Sequence, residues 1–270
     1  SVSLDKDGNI WAGTYASGIN KFDKEKNIFV NYRNEPNDPN SLSNNFVSYI
    51  ITDSNGELWI GTGGGGLNKF DYSAGNFKNY KNDKDGLNSI SNNFINSISE
   101  ESPGILLIAT QNGLNKFDKA AGKFERIRIY SEDNLKNENI SAFIIDRSGV
   151  FWVSSYNDGL YKLQFPTEKF KQTLNGDNVK CIYEDRSGSL WVGTQENGLM
   201  MSGDNGKTFA AIHINKDSKD NSPSSIRSNR INSITEDREG NIWAATGSGL
   251  YKLDRSGNVM QIFTNETGSS

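Results

Sequence analysis

The amino-acid sequence predicts an all-β protein, a β-propeller whose blades are four-stranded antiparallel sheets. Three observations support this prediction. A phrase that begins with tryptophan recurs along the chain, each copy follows a turn of fixed spacing, and no segment shows the apolar period of a long helix. Six copies cover nearly all of the 270 residues. We therefore expect a single domain over residues 1–270, with six blades of about 39 to 52 residues.

The repeated phrase starts with tryptophan in five copies and with leucine in the sixth. Successive copies start about 48, 48, 45, 39 and 52 residues apart, which is typical of propeller blades. The copies are Trp11–Thr14, Trp59–Thr62, Leu107–Thr110, Trp152–Ser155, Trp191–Thr194 and Trp243–Thr246. A large aromatic residue at one fixed position per blade predicts packing between adjacent blades rather than contact with a ligand.

Each unit is predicted to contain four short strands separated by turns. An acidic residue followed three positions later by glycine, as at Asp53 and Gly56, predicts a tight turn that the carboxylate caps. A strand such as Phe46–Thr52 precedes this turn, and strands such as Leu67–Asp71 and Phe77–Tyr80 follow the phrase. The further carboxylates of an EF-hand calcium loop are absent, so no metal and no other cofactor is expected.

The composition argues against several classes of function. Lysine and arginine total 29 against 33 aspartates and glutamates, and no basic cluster occurs, so nucleic-acid binding is not expected. The longest apolar run, Ile105–Ala109, is far too short to span a bilayer, so no membrane contact is expected within this chain. One cysteine, Cys181, and one histidine, His213, leave little material for thiol or imidazole chemistry.

The segment Asp53–Asp71, DSNGELWIGTGGGGLNKFD, closely resembles the two-component regulator propeller repeat. Copies at Asp5–Asp23 and Asp185–Leu199 fit equally well, whereas Glu101–Asp118 lacks the tryptophan and the glycine of the phrase. The resemblance implies an extracytoplasmic sensor region, periplasmic or at the cell surface, of a bacterial hybrid histidine kinase or related receptor. Such repeats form seven-bladed propellers, so part of a seven-bladed propeller is the alternative to six blades.

The resemblance implies a function in signal transduction without catalysis. The expected role is either to bind a soluble ligand or to relay its presence by assembly. The expected ligand is an oligosaccharide or a similar compound. Because the chain starts at Ser1 without an initiator methionine or a leader, we expect a piece of a longer, membrane-anchored receptor. A homodimer is left open. The segment Ser202–Phe209, SGDNGKTF, is similar to the Asp-box turn of sialidase propellers, which supports the fold and not a catalytic role.

The long linkers between units, for example Asn31–Asn45 and Lys81–Asn93, are expected beside the turn that follows the tryptophan phrase. We call this side of the molecule the long-linker rim, and the side with the uniform acidic turns the turn rim. Variation favours a local function on the long-linker rim. Its predicted ligand-binding residues are Tyr15, Asn45, Asn93, Gln111, Tyr156, Asp158, Lys180, Gln195, Glu196 and Arg230. The starts of the inner strands are expected to add Ser48, Asn96, Ser141 and Asn232.

Alternatives to a ligand-binding rim stay open at the level of sequence. The rim could be solvated and bind nothing, or its flat face could hold a protein partner, which a contiguous apolar patch would indicate. A glycoside hydrolase or lyase would need paired rim carboxylates. The candidates for such a pair are Glu138, Asp158, Asp177 and Glu196. His213 does not resemble the site of a streptogramin-cleaving lyase, which would be expected to use histidine.

Overall fold

The computed structural model describes residues 1–84, 86, 88–127, 139–156, 159–163, 171–174, 176–212 and 230–264. These residues form six four-stranded antiparallel sheets and no helix, so the predicted all-β propeller of six blades is confirmed. The chain divides into two compact units, blades 1 to 3 and blades 4 to 6, and each is described by itself. The single domain over residues 1–270 stays a prediction.

Unit 1 contains three blades, and in each the strands follow one another in chain order across the sheet. Blade 1 consists of β1 (Val2–Leu4), β2 (Ile10–Gly13), β3 (Ile19–Asp23) and β4 (Ile28–Tyr32). Blade 2 consists of β5 (Val47–Thr52), β6 (Leu58–Thr62), β7 (Gly66–Asp71) and β8 (Asn76–Tyr80). Blade 3 consists of β9 (Ile95–Ser102), β10 (Ile105–Thr110), β11 (Gly113–Asp118) and β12 (Lys123–Ile127).

Unit 2 contains the other three blades, with the same antiparallel order. Blade 4 consists of β13 (Ile140–Ile145), β14 (Phe151–Ser155), β15 (Gly159–Leu163) and β16 (Lys171–Thr173). Blade 5 consists of β17 (Val179–Glu184), β18 (Leu190–Thr194), β19 (Leu199–Ser202) and β20 (Ala210–Ala211). Blade 6 consists of β21 (Ile231–Glu236), β22 (Ile242–Thr246), β23 (Leu250–Leu253) and β24 (Val259–Phe263).

In five of the six blades the acidic turn holds the tryptophan as well as its own backbone. In blade 2, Asp53 Oδ1 accepts the backbone N–H groups of Asn55 and Glu57, while Oδ2 accepts the indole N–H of Trp59 at 2.8 Å. The same bond joins Trp11 to Asp5, Trp152 to Asp146, Trp191 to Asp185 and Trp243 to Asp237. The turn capping is predictable from the sequence, whereas the indole bond was not predicted. It connects two residues that lie six positions apart.

Four of the five tryptophans pack between adjacent blades, as predicted, whereas Trp243 stacks on Phe263 of its own blade. In unit 1 the ring of Trp11 lies 4.8 Å from Phe70 of blade 2, and Trp59 lies 5.8 Å from Phe117 of blade 3. In unit 2, Trp191 belongs to a buried cluster with Ile242 and other residues of blade 6. Each of these four tryptophans is almost completely buried, so the hydrophobic core is a series of clusters between neighbouring blades.

A second, polar contact joins neighbouring blades at the turn rim. The backbone N–H of Ser54 in blade 2 donates to the Glu100 carboxylate of blade 3 at 2.7 Å. In unit 2, Arg186 N–H likewise donates to Glu236 Oε2 at 2.9 Å. In each case the glutamate stands at or near the end of an inner strand and caps the acidic turn of the preceding blade. The turn rim therefore serves blade docking.

The Asp-box segment of blade 5 is a packing element. Asp204 accepts hydrogen bonds from the backbone of Lys207 and Thr208, and Ser202 Oγ donates to Asp204 Oδ1 at 2.7 Å. A side chain at Gly206 would meet the ring of Trp152 at 1.8 Å, so only glycine fits there. The motif thus closes its turn against the tryptophan of blade 4, which agrees with the structural role that the sequence analysis expected.

Candidate functional site

In unit 1 the linker that enters each blade docks on the second turn of the blade before it. The backbone N–H of Gly18 donates to the carbonyl of Asn45 at 2.9 Å, and those of Gly64 and Gly66 donate to the carbonyl of Asn93. Linker and second turn therefore share one rim, as the sequence analysis expected. The rim of a blade is completed by residues from the start of the next.

Asn45 and Asn93 stabilise these linkers with their side chains. The carboxamide oxygen of Asn45 accepts the backbone N–H of Asn34 at 2.8 Å, and that of Asn93 accepts the backbone N–H of Asn82 at 2.7 Å. Both acceptors are thus engaged within the protein. Asn45 and Asn93 therefore contribute to a site by fixing the conformation of the linkers that form the rim.

An aromatic row lies along the long-linker rim of unit 1. Tyr15 is 78% exposed, and its ring centroid lies 4.5 Å from that of Phe46. Phe94, which is 42% exposed, pairs with Gly63, and its carbonyl accepts the backbone N–H of Gln111. Tyr15 and Gln111 were predicted from the sequence as ligand-binding residues, but the phenylalanines were not. The signal was present in the recurring phrases NSLSNNF and NSISNNF, which both end in phenylalanine.

The turn from Gly63 to Gly65 is flat because its neighbours leave no room for side chains. A Cβ atom would meet the ring of Phe46 at 2.2 Å at Gly63, and Ser43 Oγ at 2.4 Å at Gly65. Gly64 has a φ of +108°, a conformation that other residues rarely adopt. The flat turn leaves the ring of Phe94 partly uncovered.

Two asparagines supply hydrogen-bond donors beside the aromatic row. Asn44 Oδ1 accepts the backbone N–H of Phe46 at 2.8 Å, and Asn92 Oδ1 accepts that of Phe94 at 2.7 Å. Their carboxamide N–H₂ groups make no hydrogen bond to any residue that the structure describes. The row therefore combines apolar ring faces with available donors.

In unit 2 the predicted residues lie at the second turns and at the starts of inner strands. Tyr156 is 44% exposed and follows β14, in the position that Tyr15 has after β2. The backbone N–H of Gln195 donates to the carbonyl of Asn178 at 2.8 Å, and Glu196 is exposed beside it. Asp158 lies outside the described residues.

The second residue of the inner strand is a β-bulge in four of the described blades. The pairing between first and second strands shifts by one residue at Ser48, Asn96, Lys180 and Asn232. A bulge interrupts the ladder and turns its side chain away from the regular alternation. All four positions were predicted from the sequence to belong to the long-linker rim. Ser48 Oγ is buried there without a hydrogen-bond partner among the described residues.

A protein-family model matches three segments of the chain that include linkers of the long-linker rim. The model described as "Two component regulator propeller" matches residues 41–64, 173–196 and 225–248, each of which runs from a linker through the first two strands of a blade. Three segments of the chain are thus similar to the two-component regulator propeller repeat. The matched segments belong to blades 2, 5 and 6.

Solved structures share the fold of this chain. The extracellular domain of the hybrid two component system BT3049 from B. thetaiotaomicron is 24% identical, with a TM-score of 0.82 over 100% of this chain. The extracellular domain of BT4673 from the same organism is 25% identical, with a TM-score of 0.76 over 99% of this chain. The chain spans only 35% and 36% of these two relatives. None of the curated proteins compared with the chain matches it.

A propeller enzyme is a more distant structural relative. Virginiamycin B lyase from Staphylococcus aureus is 13% identical, with a TM-score of 0.71 over 97% of this chain and 83% of the lyase. This likeness shows the fold alone. His213, Glu138 and Asp158 lie outside the described residues, and Asp177 accepts a hydrogen bond from Asn197 Nδ2.

The turn rim contains ionised carboxylates in structural roles. Burial alone would raise the pKa of Asp53, but hydrogen bonds from Lys119, from the Glu57 backbone and from Trp59 outweigh it, so the pKa lies below its usual range. Asp146 and Asp185 have lowered pKa values for the same kind of reason. Among the described residues no cluster of histidine, cysteine, aspartate and glutamate has the arrangement of a metal site. The described residues also contain no helix able to cross a membrane.

A cavity of about 380 Å³ lies between blades 1 and 2 on the turn rim. Lysines, carboxylates and the rings of Phe70 and Tyr72 line it, and none of the predicted ligand-binding residues does. The hydroxyl of Tyr72 is buried without a partner among the described residues. Because its lining combines both charges and lies beside the contacts that join the two blades, we interpret this cavity as a gap in the interface between them. The long-linker rim, in contrast, has exposed aromatic rings and carboxamide donors that bond to no described residue.

Proposed function

We propose that the chain is a non-catalytic, extracytoplasmic sensor module that binds a soluble, saccharide-like ligand on its long-linker rim. The observation that carries the proposal is the aromatic row of unit 1, in which Tyr15 and Phe94 are exposed. The carboxamide N–H₂ groups of Asn44 and Asn92 lie in the same linkers and donate to no described residue. Tyr156 gives unit 2 an exposed ring at the equivalent turn. The structural likeness to extracellular domains of two component systems supports the location and the sensor role.

The chemistry of sugars explains why such a rim is suitable. The C–H face of a sugar ring packs on an aromatic side chain, and the hydroxyl groups need hydrogen-bond partners once they leave water. Exposed rings without nearby donors would favour an apolar partner instead. Here two successive linkers each place a ring beside a carboxamide donor, Phe46 with Asn44 and Phe94 with Asn92, which favours a hydroxyl-rich ligand.

Calorimetric titration with a panel of oligosaccharides tests the proposal. We expect Tyr15→Ala and Tyr156→Ala to weaken binding by up to about tenfold each, because an aromatic contact contributes roughly 1 kcal/mol. Phe29→Ala is a matched control, since Phe29 is an exposed aromatic residue of β4 that belongs to no rim position.

The outcomes separate the open alternatives. Binding that both tyrosine variants retain at wild-type strength would contradict a role for the rim rings. Absence of binding to every oligosaccharide would contradict ligand binding and favour signalling by assembly. Turnover of any glycan would show a propeller enzyme instead of a sensor.

A further inference from the structure

The second turn of blade 1 has a tyrosine where that of blade 2 has a glycine. Tyr15 and Gly63 both come directly after the repeated phrase of their blade. The ring of Tyr15 packs on Phe46, which enters blade 2, with 4.5 Å between the ring centroids. Gly63 is bridged in turn to Phe94, which enters blade 3 and is 42% exposed. A ring of the preceding blade thus covers Phe46, whereas no described ring packs on Phe94.

The flat turn of blade 2 borders the uncovered space over Phe94. A Cβ atom at Gly64 would lie in this space, 3.4 Å from Cζ of Phe94 and 3.8 Å from Nδ2 of Asn44. Both are ordinary contact distances, so one carbon atom at this point touches a ring and an amide donor without a clash. Of the six blades only blade 2 has glycine at this position; the others have Ala16, Asn112, Asn157, Glu196 and Ser248.

The carboxamide of Asn44 is oriented by its own backbone contact. Its Oδ1 accepts the backbone N–H of Phe46 at 2.8 Å, and Nδ2 lies on the side of Gly64. This Nδ2 group donates to no residue that the structure describes. The space over Phe94 therefore combines an apolar ring face with a donor that is available to a ligand.

Tyr15 shows which shape fits over such a phenylalanine, namely a flat ring with an apolar body and a hydroxyl at its edge. A pyranose ring has the same character, because its C–H face is apolar and its edge carries hydroxyls. We propose that the space over Phe94 beside Gly64 is a subsite for one pyranose ring, with a sugar hydroxyl accepting a hydrogen bond from Asn44 Nδ2. This inference rests on the proposed function and names the ligand class as pyranose oligosaccharides. Tyr15 is 78% exposed, so a second sugar residue can pack on its outer face.

Alanine substitutions at two glycines of blade 2 test the subsite. Gly64 and Gly75 have φ values of +108° and +67°, so alanine strains both backbones, but a Cβ at Gly75 meets no atom within 4 Å. The probes for titration calorimetry are cellotetraose, maltotetraose and mannotetraose, with nystose, which consists mainly of furanose rings, for comparison. We expect Gly64→Ala to weaken binding of the pyranose probes at least about tenfold, because the methyl group fills the subsite, and Gly75→Ala to leave it unchanged.

A second variant removes the donor without filling the space. In Asn44→Ser the hydroxyl can still cap the backbone N–H of Phe46, but the carboxamide N–H₂ group is lost. We expect binding of the pyranose probes to weaken about fivefold. Thermal melts check that the variants fold, and Asn44→Ser decides the matter if Gly64→Ala does not fold.

Each outcome supports or overturns the subsite. Wild-type affinity in Gly64→Ala and in Asn44→Ser, with binding that Tyr15→Ala or Tyr156→Ala weakens, overturns the subsite while sugar binding by the rim stands. An equal loss in Gly75→Ala shows that backbone strain is the cause and likewise overturns it. Tighter binding of nystose, or of p-cresol as the analogue of a tyrosine side chain, overturns the assignment to pyranoses. No binding of any of the four sugars overturns both proposals.

Discussion

Blades 1 and 2 have nearly the same apolar pattern, yet they use it differently. Phe77 of β8 is 3% exposed, because blade 1 covers that face of blade 2. Phe29, which occupies the same position in β4, is 58% exposed. Leu58 is likewise buried, whereas Ile10 at the equivalent place in β2 is exposed. Equivalent residues in two repeats therefore contribute differently to the free energy of unfolding, because the neighbouring blade determines how much of their apolar surface is buried.

The largest expected effect sharpens this contrast with one substitution in each blade. Phe77→Ala should cost about 3 to 5 kcal/mol of unfolding free energy, because it leaves a cavity against Tyr32 and Phe70. Phe29→Ala should cost less than about 1 kcal/mol, because most of its ring is already in water. Urea denaturation of both variants measures the difference. If both variants lost a similar amount of unfolding free energy, the exposed face of Phe29 in blade 1 would have to be buried in solution.

The next effect concerns the charged part of a covered interface. Lys119 of blade 3 is almost completely buried and bonds to Asp53 Oδ2 at 2.5 Å, with Glu57 and Glu100 also within 4.0 Å. Lys119→Met should cost about 3 kcal/mol, because buried carboxylates lose their counter-charge. Tyr72→Phe is the comparison in blade 2, where the tyrosine occupies the same place and its hydroxyl has no partner among the described residues. A cost for Tyr72→Phe as large as that for Lys119→Met would contradict this account.

A third effect is on the dependence of stability on pH. Asp53 has a lowered pKa in the folded protein, so its contribution is complete above the unfolded value of about 4 and is lost as the pH falls through the folded value. Asp53→Asn should therefore cost about 2 kcal/mol at neutral pH, and the difference from wild type should shrink in acid. Thermal melts between neutral and strongly acidic pH measure it. A difference that does not change with pH would exclude the charge as the cause.

The smallest effect concerns the outer strand. Ile28 and Val30 of β4 are exposed, whereas β8 has Asn76 and Lys78 at these positions. Replacing the pair by Asn and Lys should change the unfolding free energy by less than about 0.5 kcal/mol. It should also reduce self-association, because charged residues protect an edge strand. Sedimentation at increasing concentration checks this, and a large loss of stability would show that the strand is covered by a partner.

The repeat made the fold predictable from sequence. Six copies of one phrase fixed the blade number, and the spacing from Asp53 to Trp59 located the turn and the buried ring. The hydrogen bond between these two side chains could not be foreseen, because the spacing alone does not show that the carboxylate faces the indole. Blade 3 has Glu101 and Leu107 at the two positions, so neither member of the pair is present there.

The site was less predictable, because its residues are brought together by contacts between blades. Asn45 and Tyr15 have similar polar surroundings in the sequence, but Asn45 holds the backbone of Asn34 and Tyr15 is exposed. Phe94 was passed over because it ends a phrase that also has a structural role. The bulge at Lys180 depends on strand register, which no motif in the sequence specifies.

The packing of Trp59 on the next blade has a consequence for biosynthesis. Trp59 packs against Phe117, which lies 58 residues later in the chain. During translation, Trp59 therefore leaves the ribosome well before Phe117 is available to bury it. At translation rates of roughly 5 to 20 residues per second, the ring would remain exposed for several seconds. A newly synthesised blade thus exposes its tryptophan until the next blade is made, and chaperones can bind this aromatic surface during that interval.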